Sequence, residues 1–106
     1  MMNDPHKIIG HQIDQYLVIR FIGQGGMAAV YLAHDESLDR NVAIKVMLPT
    51  IAQDDQLRRR FEREARTTAR LDHPHIVPVY TTGSLPTGEP YIALQYMNEH
   101  EYTTMA

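Results

Sequence analysis

From Tyr16 to Ile22 the chain reads YLVIRFI, a run of β-branched and aromatic residues that stops at Gly23, and this pattern predicts a strand. Gly23 to Ala28 is a glycine-rich turn, and Ala29 to Ala33 (AVYLA) predicts a second strand that closes a hairpin. After a polar turn from His34 to Asn41, Val42 to Leu48 (VAIKVML) predicts a third strand, stopped by Pro49. The patterning then changes period. Asp54 to Leu71 contains neither Gly nor Pro, begins with acidic residues and carries arginines through its body, which suits the dipole of a helix. Leu57, Phe61, Ala65, Thr68 and Leu71 recur at helical spacing, and Asp72-His73-Pro74 is the expected stop. Ile76 to Thr81 and Tyr91 to Met97 predict two further strands around a turn, GSLPTGEP. Three strands, one helix and two strands predict an α+β fold, a five-stranded antiparallel sheet with one main helix packed on it. Residues 1–12 read as a flexible lead-in, residues 13–97 as the ordered domain, and residues 98–106 as an irregular tail without apolar periodicity.

Composition narrows the classes. The chain has 106 residues, 43% hydrophobic and 22% charged, as expected of one small soluble domain. A net charge of −3 argues against a nucleic-acid surface. The absence of cysteine excludes disulfides and thiolate metal sites, and no metal site is expected. No apolar run approaches the ~20 residues of a membrane span, and the first residues lack the apolar core of a signal peptide, so a cytoplasmic protein is expected.

Three features carry candidate chemistry. Gly23-Gln24-Gly25-Gly26-Met27-Ala28 fits G-x-G-x-x-G with its last glycine replaced by Ala28. Glycines suit a backbone that approaches phosphate oxygens and offers them N–H groups, although taken alone a tight hairpin turn is the slightly better explanation. The segment after the turn is a strand, which excludes a dinucleotide-binding βα turn, and no Gly-Lys-Ser/Thr follows, which excludes a Walker A loop. The second feature is Lys45, alone among six apolar residues. Alternation puts Val42, Ile44 and Val46 on one face and Ala43, Lys45 and Met47 on the other. An edge-strand lysine reaching to water would also account for it. The third is Glu64. Leu57, Phe61, Glu64, Thr68 and Leu71 follow a 4-3-4-3 spacing that places Glu64 in the core-facing stripe. A carboxylate there costs roughly several kcal/mol unless paired, so a Lys45–Glu64 ion pair is expected, the alternative being that Glu64 bends out to solvent at the margin of the stripe.

A glycine-rich hairpin, a Val-Ala-Ile-Lys strand and a helix glutamate, in that order, resemble the first landmarks of the protein-kinase fold. The wording Ile-Gly-Gln-Gly-Gly-Met, Arg-Phe-Glu-Arg-Glu-Ala and His-Pro-His-Ile-Val is similar to the amino-terminal lobe of bacterial Ser/Thr kinases of the eukaryotic type, over Ile13 to Met97. The resemblance implies a transferase that uses ATP, with magnesium in a full-length enzyme, and a protein substrate bound by a second lobe. It implies that the backbone of Gly23, Gln24, Gly25, Gly26, Met27 and Ala28 covers the phosphates. Lys45 would bind the α- and β-phosphates, positioned by Glu64, and these two are the candidate catalytic residues. Ile22, Val30 and Ala43 would roof the adenine, Leu94 would guard the back of the pocket, and the backbone of Gln95 and Met97 would meet the adenine edge.

The chain departs from the family in two ways. Ala28 stands for the third glycine, a mild change. The sequence also contains no His-Arg-Asp and no Asp-Phe-Gly, which bring the base and metal ligands in this family. The expectation is therefore a truncated lobe without significant kinase activity of its own. The alternative is a stand-alone lobe acting as a protein-interaction or dimerisation module, with self-association through exposed apolar surface; a chance glycine loop on an unrelated α+β protein is the third reading. The six histidines show no helical ligand pair, His73 and His75 flank Pro74 in a turn, and Arg58-Arg59-Arg60 reads as the wet face of the helix.

Overall fold

The computed structural model describes residues 3–70 and 78–97. Its elements are β1 (Gln12–Ile13), β2 (Tyr16–Gln24), β3 (Ala28–Asp35), β4 (Arg40–Met47), α1 (Pro49–Ala52), α2 (Asp55–Arg70), β5 (Val79–Ser84) and β6 (Pro90–Gln95). The six strands form one antiparallel sheet in the order β1-β2-β3-β4-β6-β5. One strand more than expected is present, because Gln12, the last residue of the lead-in, and Ile13 pair with Leu17 and Tyr16. The expected strand at Tyr91–Met97 instead begins at Pro90 and ends at Gln95. The strand expected from Ile76 starts at Val79 among the described residues. The expected helix stop at Asp72-His73-Pro74, the turn histidines and the 98–106 tail lie outside the described residues.

The alternation read from β4 holds in three dimensions. Val42, Ile44 and Val46 enter one core cluster with Tyr16, Val18, Tyr31 and Tyr91, whereas Ala43 and Met47 enter another with Phe61, Ala65, Ile92 and Leu94. The sheet is therefore buried on both faces, with α2 covering the second one. Its ends also approach each other. Tyr16 of β2 donates its hydroxyl to Thr81 Oγ1 of β5 at 2.9 Å, and Tyr91 of β6 donates to Asp14 beside β1. Sheet twist accumulated over six strands accounts for this curl.

Two local surprises have simple causes. Pro49 stops β4 but also starts α1, because a proline suits the first turn of a helix, where no amide partner is needed. Asp54 then caps α2, its Oδ1 accepting from the amides of Gln56 (3.0 Å) and Leu57 (3.1 Å).

The lead-in is not loose from Asp4 onward. Asp4 accepts from the amides of Ile8 and Ile9, each at 3.0 Å, and Ile8 is buried in the core. Gly10 takes φ +86°, a left-handed conformation natural to glycine, and donates to Val18 O at 2.8 Å. Residues 4–10 thus form a strap laid against the sheet face opposite α2.

Candidate functional site

The glycine-rich turn is tighter than its sequence suggested. β2 extends through Gln24 and β3 begins at Ala28, which leaves Gly25, Gly26 and Met27 as the tip. Gly25 donates to Ala28 O at 3.0 Å across it. A register shift between Phe21 and Gly23 bulges the strand just before the tip, with Gly23 opposite Val30 and Gln24 opposite Ala29. None of the turn's glycines takes a positive φ, so backbone handedness does not explain them. At Gly26 a Cβ would meet nothing within 4 Å, and the residue is exposed, so its face is open space that a ligand could enter. Gly23 and Ala28 are buried, while Gln24 and Met27 are exposed.

The tip is held from outside the hairpin. Leu48, at the end of β4, donates its amide to Met27 O at 2.8 Å, and Met47 pairs with Ala28. The sequence carried no signal for this contact, since it depends on how far β4 runs beside β3.

Lys45 sits opposite Val30 on β3 and Ile92 on β6. β4 is therefore an interior strand, and the edge-strand explanation of Lys45 falls. Its side chain is half-buried. Burial depresses the ammonium pKa below the ordinary lysine value, and the negative charge of Glu64 partly opposes that. A cation in such a place favours an anionic partner.

Glu64 is placed differently from expectation. The buried stripe of α2 is Phe61 and Ala65 with Leu57 half-buried, at steps of four residues. At 3.6 residues per turn, Glu64 lies about 60° from the centre of that stripe, enough to leave it in solvent. Its side chain is 66% exposed, and Oε1 accepts from Arg60 Nε at 3.1 Å. The core-facing position is corrected accordingly. What reaches Lys45 from Glu64 is Coulombic attraction.

Four of the remaining candidates fall on the α2 side of the sheet. Val30, Ala43 and Leu94 are buried in one cluster, Ile22 packs against it, and Ala43 pairs directly with Leu94. Gln95 is exposed, and its amide already donates to Pro78 O at 3.0 Å, so only its carbonyl could serve a ligand. Met97 is 52% exposed. A cavity of 180 Å³ between α2 and the β5–β6 pair is bordered by Phe61, Ala65, Gly83 and Tyr91, and neither Lys45 nor the glycine turn borders it. Among the described residues no acidic or histidine cluster could hold a metal ion, and no helix is long and apolar enough to cross a membrane.

The protein kinase domain family matches residues 16–106. The serine/threonine-protein kinase PrkC of Bacillus subtilis is 46% identical over 101 residues, covering 92% of this chain and 15% of PrkC. The serine/threonine-protein kinase PknB of Mycobacterium tuberculosis is 44% identical over 91 residues, 83% of this chain and 14% of PknB. Among solved structures, the Mycobacterium tuberculosis PknI kinase domain superposes with a TM-score of 0.71 at 38% identity, over 85% of this chain and 36% of that domain. The chain thus spans under a fifth of these curated relatives and about a third of a solved kinase domain, the amino-terminal part. With the family match extending over most of its length and the sheet, glycine hairpin and central lysine in the family's order, the chain belongs to the protein kinase family, as a kinase amino-terminal lobe of the bacterial Ser/Thr type.

Proposed function

We propose that this chain is the ATP-binding lobe of a protein Ser/Thr kinase, working in the cytoplasm and contributing to phosphate transfer when completed by a substrate-binding lobe. The observation that carries the reading is Lys45, a half-buried cation on an interior strand, directly across from Val30, which lies two residues along the glycine hairpin's return strand from its buried start at Ala28. ATP supplies the transferable γ-phosphoryl group when bound. The backbone of Gly23 to Ala28 covers its phosphates, the Gly25 amide bracing the turn on Ala28 O, and the Lys45 ammonium neutralises the α- and β-phosphates. Ile22, Val30, Ala43 and Leu94 give the adenine an apolar surface, and the Gln95 carbonyl with the Met97 backbone meets its polar edge. Glu64 acts on Lys45 through space. Mg²⁺ would be held chiefly by residues of the second lobe.

A polypeptide of these 106 residues has no His-Arg-Asp or Asp-Phe-Gly segment, so it should bind without transferring phosphate. Titration calorimetry with ATP, ADP and adenosine tests the reading. Tighter binding of the two phosphorylated ligands than of adenosine supports it. Equal affinities for all three, or no binding, would overturn it.

A further inference from the structure

The strap at residues 4–10 ends on the element that holds the glycine turn. His6 Nε2 lies 2.8 Å from Met47 O. A carbonyl can only accept, so Nε2 carries the hydrogen of this bond. The β4–β6 ladder stops at Val46 opposite Tyr91, one residue short of Met47, and the strap brings a donor where the ladder has run out. The next residue, Leu48, is the one whose amide reaches Met27 O at the tip of the glycine turn. His6 is itself fixed. Its backbone amide donates to the Tyr31 hydroxyl at 3.2 Å, and the rings meet edge to face at 5.8 Å. Tyr31 is fully buried on β3 and donates to Asp4 Oδ1 at 3.0 Å, and Asp4 binds back to the amides of Ile8 and Ile9.

We propose that residues 4–10 are a positioning strap for the nucleotide site, in which His6 fixes the Met47–Leu48 peptide and, through it, the glycine turn. The juxtaposition of His6, Met47, Leu48 and Met27 is a continuous hydrogen-bonded path from strap to turn. Ile8 already anchors the strap apolarly, and the imidazole adds a bond where β4 meets the turn. The turn's backbone amides are useful to phosphates only if they are held in one geometry. The effect on nucleotide affinity rests on the function proposed above, whereas the mechanical coupling does not.

The test uses the whole 106-residue chain as wild type, His6→Phe, His6→Gln and Asp4→Asn. Phenylalanine keeps a ring and loses the donor; glutamine keeps a side-chain N–H donor. Amide hydrogen exchange is read at Leu48 and Gly25 on one side and at Ile44 and Ala93, in the central ladder, on the other. The expected result is exchange about five- to tenfold faster at Leu48 and Gly25 in His6→Phe, the factor matching one ordinary hydrogen bond. Ile44 and Ala93 stay unchanged, ATP binding weakens more than adenosine binding, and His6→Gln recovers most of both. Asp4→Asn, which loosens the strap without touching Met47, should show the same local pattern in weaker form. Unchanged exchange at Leu48, or a rise equal to that at Ile44, would reduce the strap to ordinary structural support and overturn the proposal. If the wild type binds no ATP, the functional reading fails separately, and the exchange comparison still decides the coupling.

Discussion

Replacing Lys45 by methionine separates what the site does from what the fold needs. Lys45 lies on interior strand β4 between Val30 and Ile92, and both neighbours are apolar and buried. Methionine is unbranched and of similar length, so it fills the space of the lysine stem, and such volume-conserving changes usually cost under about 1.5 kcal/mol. Against that stands the loss of an ammonium whose charged form burial already disfavours. Glu64 attracts that ammonium, and losing this attraction offsets the relief of burial. The effects together predict a stability within about 1 kcal/mol of wild type, or a Tm within about 6 °C of it for a domain of this size. Ligand binding should move the other way. A charge-assisted hydrogen bond to phosphate is worth about 1.5–3 kcal/mol, so the Kd for ATP should rise about tenfold to a hundredfold. Adenosine, which has no phosphate, should bind Lys45→Met and wild type alike. Differential scanning calorimetry and isothermal titration with both ligands make the comparison. A fall in Tm accompanied by equal losses for ATP and adenosine would show that Lys45 supports the fold rather than the phosphates, and the reasoning would fail.

Other predictions follow from the packing and the charges. In Gly83→Ala the new Cβ would sit 2.7 Å from Tyr91 Cε1 and 2.9 Å from its hydroxyl, and Tyr91 is pinned by Asp14 and by Tyr16 edge-on at 6.3 Å. Urea unfolding should show a loss of about 1–3 kcal/mol, and an unchanged midpoint would mean that Tyr91 is free to move. Asp54→Ala removes the cap of α2 and should cost about 1 kcal/mol in the same assay, while Asp54→Asn should recover most of it. His34 faces Asn41 Oδ1 at 3.1 Å and Asp39 Oδ1 at 3.0 Å, and these contacts raise its pKa above the ordinary histidine value. Its stabilising contribution is then full below the ordinary histidine pKa and is lost as pH rises through the elevated folded value. An NMR titration of His34 with a midpoint at or below that of free histidine would contradict this assignment.

The parts of the fold that repeat along the chain were readable from it. β4 announced both its faces, because alternation assigns residues to opposite sides whatever packs there, and the structure sorts Val42, Ile44 and Val46 from Ala43 and Met47 accordingly. α2 was readable from its charge order and from Leu57, Phe61 and Ala65. Glu64 was misplaced because a 4-3 spacing tolerates a residue about 60° off axis, and a long carboxylate at that angle finds solvent and Arg60 at less cost than the core. Sequence alone left open whether Lys45 was at an edge, since strand order is a tertiary property; placing β6 beside β4 settled it. The strap was invisible for a related reason. Asp4, His6 and Ile8 have no period, and their meaning comes from Tyr31 and Met47, 25 and 41 residues away from His6. α1 was missed because Pro49 reads equally as the end of a strand and the start of a helix.

The central claim is that phosphates lie between the glycine turn and Lys45. The most direct measurement is amide chemical-shift mapping of the ¹⁵N-labelled chain during titration with ATP. The account predicts the largest changes at Gly23 to Ala28, at Lys45 and at Gln95 to Met97, with the Leu85–Glu89 turn unmoved. Changes centred on Phe61, Gly83 and Tyr91, around the cavity beneath α2, would place the ligand elsewhere and contradict it.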